Sequence, residues 1–185
     1  MNLSLFIVVL GGRSLKSNIE LHDVRWVLGK SIEDTFPELR NQWLGKRNGL
    51  HIDSFKRIQY VDGYKISISK SSKDSSKRRK PEEESLWFIN LGGYNPKKMY
   101  EEHKLSLVVA KSAIEAKKKA KINWESDLKN KHNDDCSGIK NLEQIEDIHS
   151  IRKIKNWIIK LIPDHKNRSE KLNPDWYGYM RIDKS

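Results

Sequence analysis

Histidine and carboxylate recur in this chain at one fixed spacing. His22, His51 and Asp53 are followed, 81 residues later in each case, by His103, His132 and Asp134, and Glu20 is followed in the same way by Glu101. Imidazole and carboxylate are the groups that hold divalent transition metals and that move protons near neutral pH. As metal ligands, His22, His51, His103 and His132 with the two aspartates would form two related half-sites that meet on a pseudo-twofold axis. No two of these histidines have a recognised short ligand spacing, so the fold must join positions about thirty residues apart. As proton-transfer groups, His22 or His103 would act as a general base oriented by Asp53 or Asp134. The sequence offers no nucleophile for that chemistry, because Cys136 stands beside Asp134-Asp135, whose charges disfavour a thiolate. Against both stands a plainer role, a histidine at the end of an apolar strand whose ring is satisfied by hydrogen bonds within the core.

These pairs belong to a longer internal repeat. Leu5-Phe-Ile-Val-Val-Leu-Gly-Gly12 returns as Leu86-Trp-Phe-Ile-Asn-Leu-Gly-Gly93, and the same offset pairs Lys30-Ser31 with Lys111-Ser112 and Trp43 with Trp124. Between residues 4 and 58, fifteen of fifty-five positions are identical at that offset, against roughly three by chance. The elements that position the histidines must therefore exist twice.

Leu5–Leu10 reads as a buried strand, and Gly11-Gly12 reads as the tight turn that ends it. A phosphate loop is the alternative for such a pair, but no glycine-rich fingerprint or helix N-terminus follows. Over residues 20–28, His22, Val24, Trp26 and Leu28 alternate onto one strand face, and His103 heads the same pattern with Leu105, Leu107 and Val109. Ser31 and Ser112 each precede an acid by three residues, the signature of a capped helix start. In the second copy Ala113, Ala116, Ala120 and Trp124 make one stripe, while in the first Pro37 delays or kinks the helix. Residues 50–60 and 64–69 read as a hairpin closed at Asp62-Gly63. The second hairpin, over residues 138–151, is less clearly written, since Ile145, Ile148 and Ile151 also fit one side of a helix.

This gives residues 1–70 as copy one, 71–85 as a charged flexible linker, 86–151 as copy two and 152–185 as a C-terminal extension. The extension is expected to hold a helix over 152–162, ended by Pro163, and an aromatic tail around Pro174–Met180 that docks on the core. The expected fold is α+β: a tandem pseudo-twofold repeat of β-β-α-β-β units, with a largely antiparallel sheet, helices packed on one face, and one sheet shared by the apolar strands of both copies as an open arrangement.

Composition limits the setting. One cysteine cannot make an internal disulfide, no apolar run reaches membrane-spanning length, and both facts favour a cytoplasmic protein with no membrane partner. The net charge of +11 raises nucleic acid as a partner, through Lys77, Arg78, Arg79 and Lys80 in the linker and Lys117, Lys118 and Lys121 on the second helix. The lysines are spread along the chain, however, as a biased composition alone would give. A homodimer is the other candidate partner.

With LGG, ELHDV, a capped helix ending in tryptophan, GLHIDS and VDGYKI in order, the chain resembles an uncharacterised bacterial family known as domain of unknown function 1543. The family carries one or two copies of the domain, and the resemblance implies two here, over residues 3–70 and 86–150. It implies no activity, substrate, cofactor or catalytic residue. The residues themselves favour a nonenzymatic ligand-binding or interaction module with its site between the copies, near His22 and His103. The alternatives are a metal-dependent hydrolase-like enzyme built on the duplicated His and Asp residues, and a nucleic-acid binder.

Overall fold

The computed structural model describes residues 3–70, 83–122, 128–138 and 157–184. Its strands are β1 (Ser4–Gly12), β2 (Leu21–Gly29), β3 (His51–Ile58), β4 (Tyr60–Val61), β5 (Tyr64–Lys70), β6 (Ser85–Tyr94), β7 (Glu102–Ala110), β8 (Lys129–Gly138), β9 (Trp157–Pro163) and β10 (Trp176–Arg181). Two short helices, α1 (Phe36–Gln42) and α2 (Ala113–Ile122), follow β2 and β7. The strands form three antiparallel sheets, ordered β10-β3-β1-β2, β4-β5-β9 and β7-β6-β8. The α+β expectation thus holds in its coarse form.

The two apolar strands do not share a sheet. β1 is an inner strand of one sheet and β6 the central strand of another, and the reason lies in their two-sided burial. Leu5 and Ile7 join Trp26, Leu86, Phe88 and Val109 in a core between the copies, where Trp26 and Phe88 meet edge to face at 4.8 Å. On the opposite side of β1, Phe6, Val8 and Leu10 pack with Leu39 and Trp43 at the first helix, and on that side of β6, Ile89 and Leu91 pack with Ala116 and Ala120 of α2. A strand apolar on both faces needs a layer on each, and the other copy supplies one of them. A hydrogen bond from the Val109 N–H to Asp62 Oδ2, 2.8 Å, also joins the copies.

Local signals explain the helices. Ser112 Oγ accepts from the Glu115 N–H and Glu115 Oε2 accepts from the Lys111 N–H, which satisfies two amides at the start of α2. In the first copy Asp34 Oδ2 accepts from the amides of Lys30 and Ser31, one 3-10 turn follows, and α1 starts late with Pro37 in its first turn. Asp62 and Gly63 take positive φ values of 48° and 80° and close the β4-β5 hairpin. That hairpin leaves the β1 sheet at Gln59 and pairs instead with β9.

Several expectations change at the C-terminal end. The described part of the helix expected over 152–162 is strand β9, because Trp157, Ile159 and Leu161 alternate into the inter-copy core along β5. The aromatic tail is β10, which extends the first sheet along β3 through the pairs Trp176↔Phe55 and Arg181↔His51. The linker residues 71–82, Trp124 and the second hairpin beyond Gly138 lie outside the described residues.

Candidate metal centre

Gly11-Gly12 and Gly92-Gly93 are not turns; they lie inside the ladders of β1 and β6. In the first sheet Gly11 stands opposite His22 on β2 and His51 on β3. In the second, Gly92 stands opposite His103 on β7 and His132 on β8. Residues directly opposed in an antiparallel ladder project to the same side, so each glycine is a gap between two imidazoles. A Cβ added to Gly11 would fall on His51 Nε2 and 3.0 Å from Asp53 Oδ2. One added to Gly92 would fall on Glu101 Oε1 and 2.5 Å from Asp134 Oδ2. The glycines are there to leave room for the polar side chains of their neighbours.

A β-bulge brings in the aspartates. The β1-β3 register shifts between Val9 and Leu10, which leaves Asp53 as the extra residue between Ile52 and Ser54. The β6-β8 register shifts at the equivalent place, between Asn90 and Leu91, and leaves Asp134 extra. A bulge re-aims one side chain, here toward the histidines. The fourth member, Glu20 or Glu101, comes from the end of the loop before the second strand of each copy.

The resulting distances are short. In the first copy His51 Nε2 lies 3.2 Å from Asp53 Oδ1 and 3.5 Å from Glu20 Oε1, while His22 Nε2 lies 3.2 Å from Asp53 Oδ2 and 3.9 Å from Glu20 Oε2. In the second, His132 Nε2 lies 2.8 Å from Asp134 Oδ1 and 2.9 Å from Glu101 Oε1, and His103 Nδ1 lies 3.1 Å from Asp134 Oδ2. Both inner histidines are held by their other nitrogen: His51 Nδ1 donates to the Gly49 carbonyl and His132 Nδ1 to the Asn130 carbonyl, each at 2.8 Å. A carbonyl only accepts, so in a neutral ring the proton sits on Nδ1 and the Nε2 lone pair faces two carboxylates. That arrangement is repulsive unless a cation intervenes, either a second ring proton or a metal. The Asn130 carbonyl first, then the charges of Asp134 and Glu101, push the His132 imidazole above its ordinary range. Asp53 Oδ2 and Glu101 Oε1 are buried atoms with no hydrogen bond.

Ligand atoms of Glu101, His132 and Asp134 all lie within 4.8 Å of one another, the one such group of three among the described residues. The contacts run within each copy, among Glu20, His22, His51 and Asp53 in the first and among Glu101, His103, His132 and Asp134 in the second, and one glycine faces both histidines of each set. The general-base pairs His22–Asp53 and His103–Asp134 are also in contact. His103 further lines a pocket of about 290 Å³ between the copies, with Ile7, Val9, Phe55, Lys56 and Leu105. Lys118 and Lys121 are exposed on α2 and Lys117 is half-buried; Lys77–Lys80 lie outside the described residues. Sequence reasoning left Glu20 and Glu101 at the margin and missed the function of Gly11 and Gly92, although the same 81-residue offset pairs them.

The model of the family described as Domain of Unknown Function (DUF1543) matches residues 17–68 and 98–161, one segment around each histidine cluster. The chain belongs to this family. Among solved structures, the crystal structure of a protein Il1583 from Idiomarina loihiensis is similar to it over 100% of both chains, with 30% sequence identity and a TM-score of 0.71. No curated protein matches it. No helix among the described residues of this DUF1543 chain is long and apolar enough to cross a membrane.

Proposed function

We propose that this DUF1543 protein is a nonenzymatic ligand-binding module whose ligand is a divalent transition metal, one ion in each repeat. The observation that carries the reading is the state of the inner histidine. Its Nδ1–H is committed to a backbone carbonyl while its Nε2 faces a glutamate and an aspartate, in both copies. This is how a metal-binding histidine is set, with the outer hydrogen bond fixing tautomer and ring direction. His51, Asp53 and Glu20 would hold one ion and His132, Asp134 and Glu101 the other, with His22 and His103 as the fourth donors or as partners of the carboxylates. Nitrogen and oxygen donors with no thiolate suit zinc, manganese or iron.

The basic charge supports the nucleic-acid reading less well. The described candidates are lysines along one short helix, and Lys119 on it is occupied by Glu115 and the Val109 carbonyl. The hydrolase-like alternative is favoured by one feature, the pocket against His103, where a bound substrate would meet a metal acting as Lewis acid.

Elemental analysis of untagged protein tests the proposal. About two equivalents of metal are expected, with a rise in thermal stability on adding zinc or manganese to stripped protein. Metal far below one equivalent, without stabilisation by either ion, rejects it.

A further inference from the structure

The carbonyl that holds each inner histidine comes from a residue in the same uncommon backbone conformation. Gly49 has a φ of 83° and Asn130 a φ of 47°, and each lies two residues before its histidine. They stand at the 81-residue offset of the repeat and yet are different residues. What they share is the left-handed region, which glycine enters freely and asparagine more readily than most residues with a Cβ. Space does not call for a glycine at position 49, because a Cβ built there meets nothing within 4 Å. The constraint there is φ alone. In the first copy the peptide is pinned on both sides: the Leu50 N–H donates to the Arg47 carbonyl at 3.1 Å, closing a four-residue turn with Gly49 in third place, and the Gly49 N–H donates to Asp183 Oδ2 at 2.8 Å. The third place of such a turn is where a positive φ selects glycine or asparagine. So held, the Gly49 carbonyl meets His51 Nδ1 at 2.8 Å, and the Asn130 carbonyl meets His132 Nδ1 at the same distance.

We infer that Gly49 and Asn130 are positioning residues of the two metal centres, each using a left-handed backbone to keep a proton on Nδ1 and leave Nε2 to the ion. A residue that avoids positive φ at either position weakens the centre of its own copy. This rests on the metal reading above. A turn residue with no further role would affect stability only. A residue that sets the ring also changes metal affinity, and does so in one copy and not in the other.

The test is competition between zinc-loaded full-length protein and a chromogenic chelator, which reads the affinity of each equivalent, together with proton–nitrogen correlation spectra of the imidazole groups. His51 and His132 should each show an Nδ1–H signal, assigned through His51→Ala and His132→Ala. Gly49→Val should weaken one equivalent by about 10–100-fold, the usual cost of losing the outer hydrogen bond of a ligand histidine, and should remove the His51 signal. Asn130→Val should do the same to the other equivalent and to the His132 signal. Gly49→Asn and Asn130→Gly retain access to the left-handed region and should keep both equivalents and both signals. The inference is overturned, with the metal reading left standing, if the valine variants lower Tm but leave both affinities unchanged, if either loses both equivalents together, or if Gly49→Asn weakens its equivalent as much as Gly49→Val. Wild-type protein that binds fewer than two equivalents of zinc overturns the metal reading itself, and the inference with it.

Discussion

Replacing Gly11 and Gly92 with alanine separates the two centres by a difference in how far their neighbours can move. Neither glycine has a positive φ, so alanine is acceptable to the backbone and the only cost is the new methyl group. At Gly11 that methyl meets the His51 ring, which is fully buried, fixed at Nδ1 by Gly49 and covered by Tyr179. The ring has nowhere to go, so Gly11→Ala behaves as an overpacked core and should cost about 1–3 kcal/mol. In a chain of this size that lowers Tm by roughly 2–12 °C. At Gly92 the methyl meets Glu101 and Asp134, partly exposed carboxylates that can swing into solvent. Gly92→Ala should therefore leave the Tm of stripped protein within about 2 °C, since surface adjustments rarely exceed 0.5 kcal/mol, yet lose one equivalent of metal. Differential scanning calorimetry on stripped protein and elemental analysis on loaded protein read the two effects. If Gly11→Ala leaves Tm unchanged, or if Gly92→Ala binds metal normally, the glycines are not gaps for the clusters.

Other perturbations test the frame. Trp26→Ala opens a cavity in the core between the copies, beside Phe88, and should cost about 3–5 kcal/mol in urea unfolding; a cost under 1 kcal/mol would mean the copies do not share that core. Asp62→Ala removes the acceptor of the Val109 N–H and places alanine at a φ of 48°; it should cost at least about 1–3 kcal/mol through the unpaired part-buried amide, with backbone strain added, and no change in metal content. The Asp183 carboxyl is held well below the usual carboxylate range by Arg181 and then by the Gly49 N–H. A depressed folded-state pKa stabilises fully above the unfolded value of about 4 and is lost as pH falls toward the folded value. Asp183→Asn should accordingly flatten the loss of stability below pH ~4, and an unchanged acid limb would count against that contact.

Much of the local structure was legible because the sequence repeats. The identity of His22 with His103 and of Ser31 with Ser112 marked equivalent strand ends and helix starts, and Asp62-Gly63 announced its hairpin by chemistry local to two residues. What was not legible depended on pairing partners far away in sequence. Gly11-Gly12 looks like a turn until β2 and β3 are known to flank it, since a glycine that ends a strand and one that leaves room within it are the same letter. The bulges at Asp53 and Asp134 are one-residue shifts between strands and leave no local mark. Strand β9 read as a helix because Trp157, Ile158 and Leu161 fit a helical stripe, and only pairing with β5 selects the alternation of Trp157, Ile159 and Leu161. Tyr179, whose ring lies over His51, has no counterpart in the repeat and so no second copy to draw attention to it. The histidines were found by type and spacing, but that each pair would meet within its own copy follows only from the glycine opposite both.

Anomalous diffraction from crystals of the zinc-loaded protein, collected on both sides of the zinc absorption edge, locates the bound ions directly. Two peaks are expected, one bounded by Glu20, His51 and Asp53 and the other by Glu101, His132 and Asp134, each with ligand distances of about 2.0–2.2 Å. Zinc-edge maps without a peak at either cluster would show that these residues do not hold a metal.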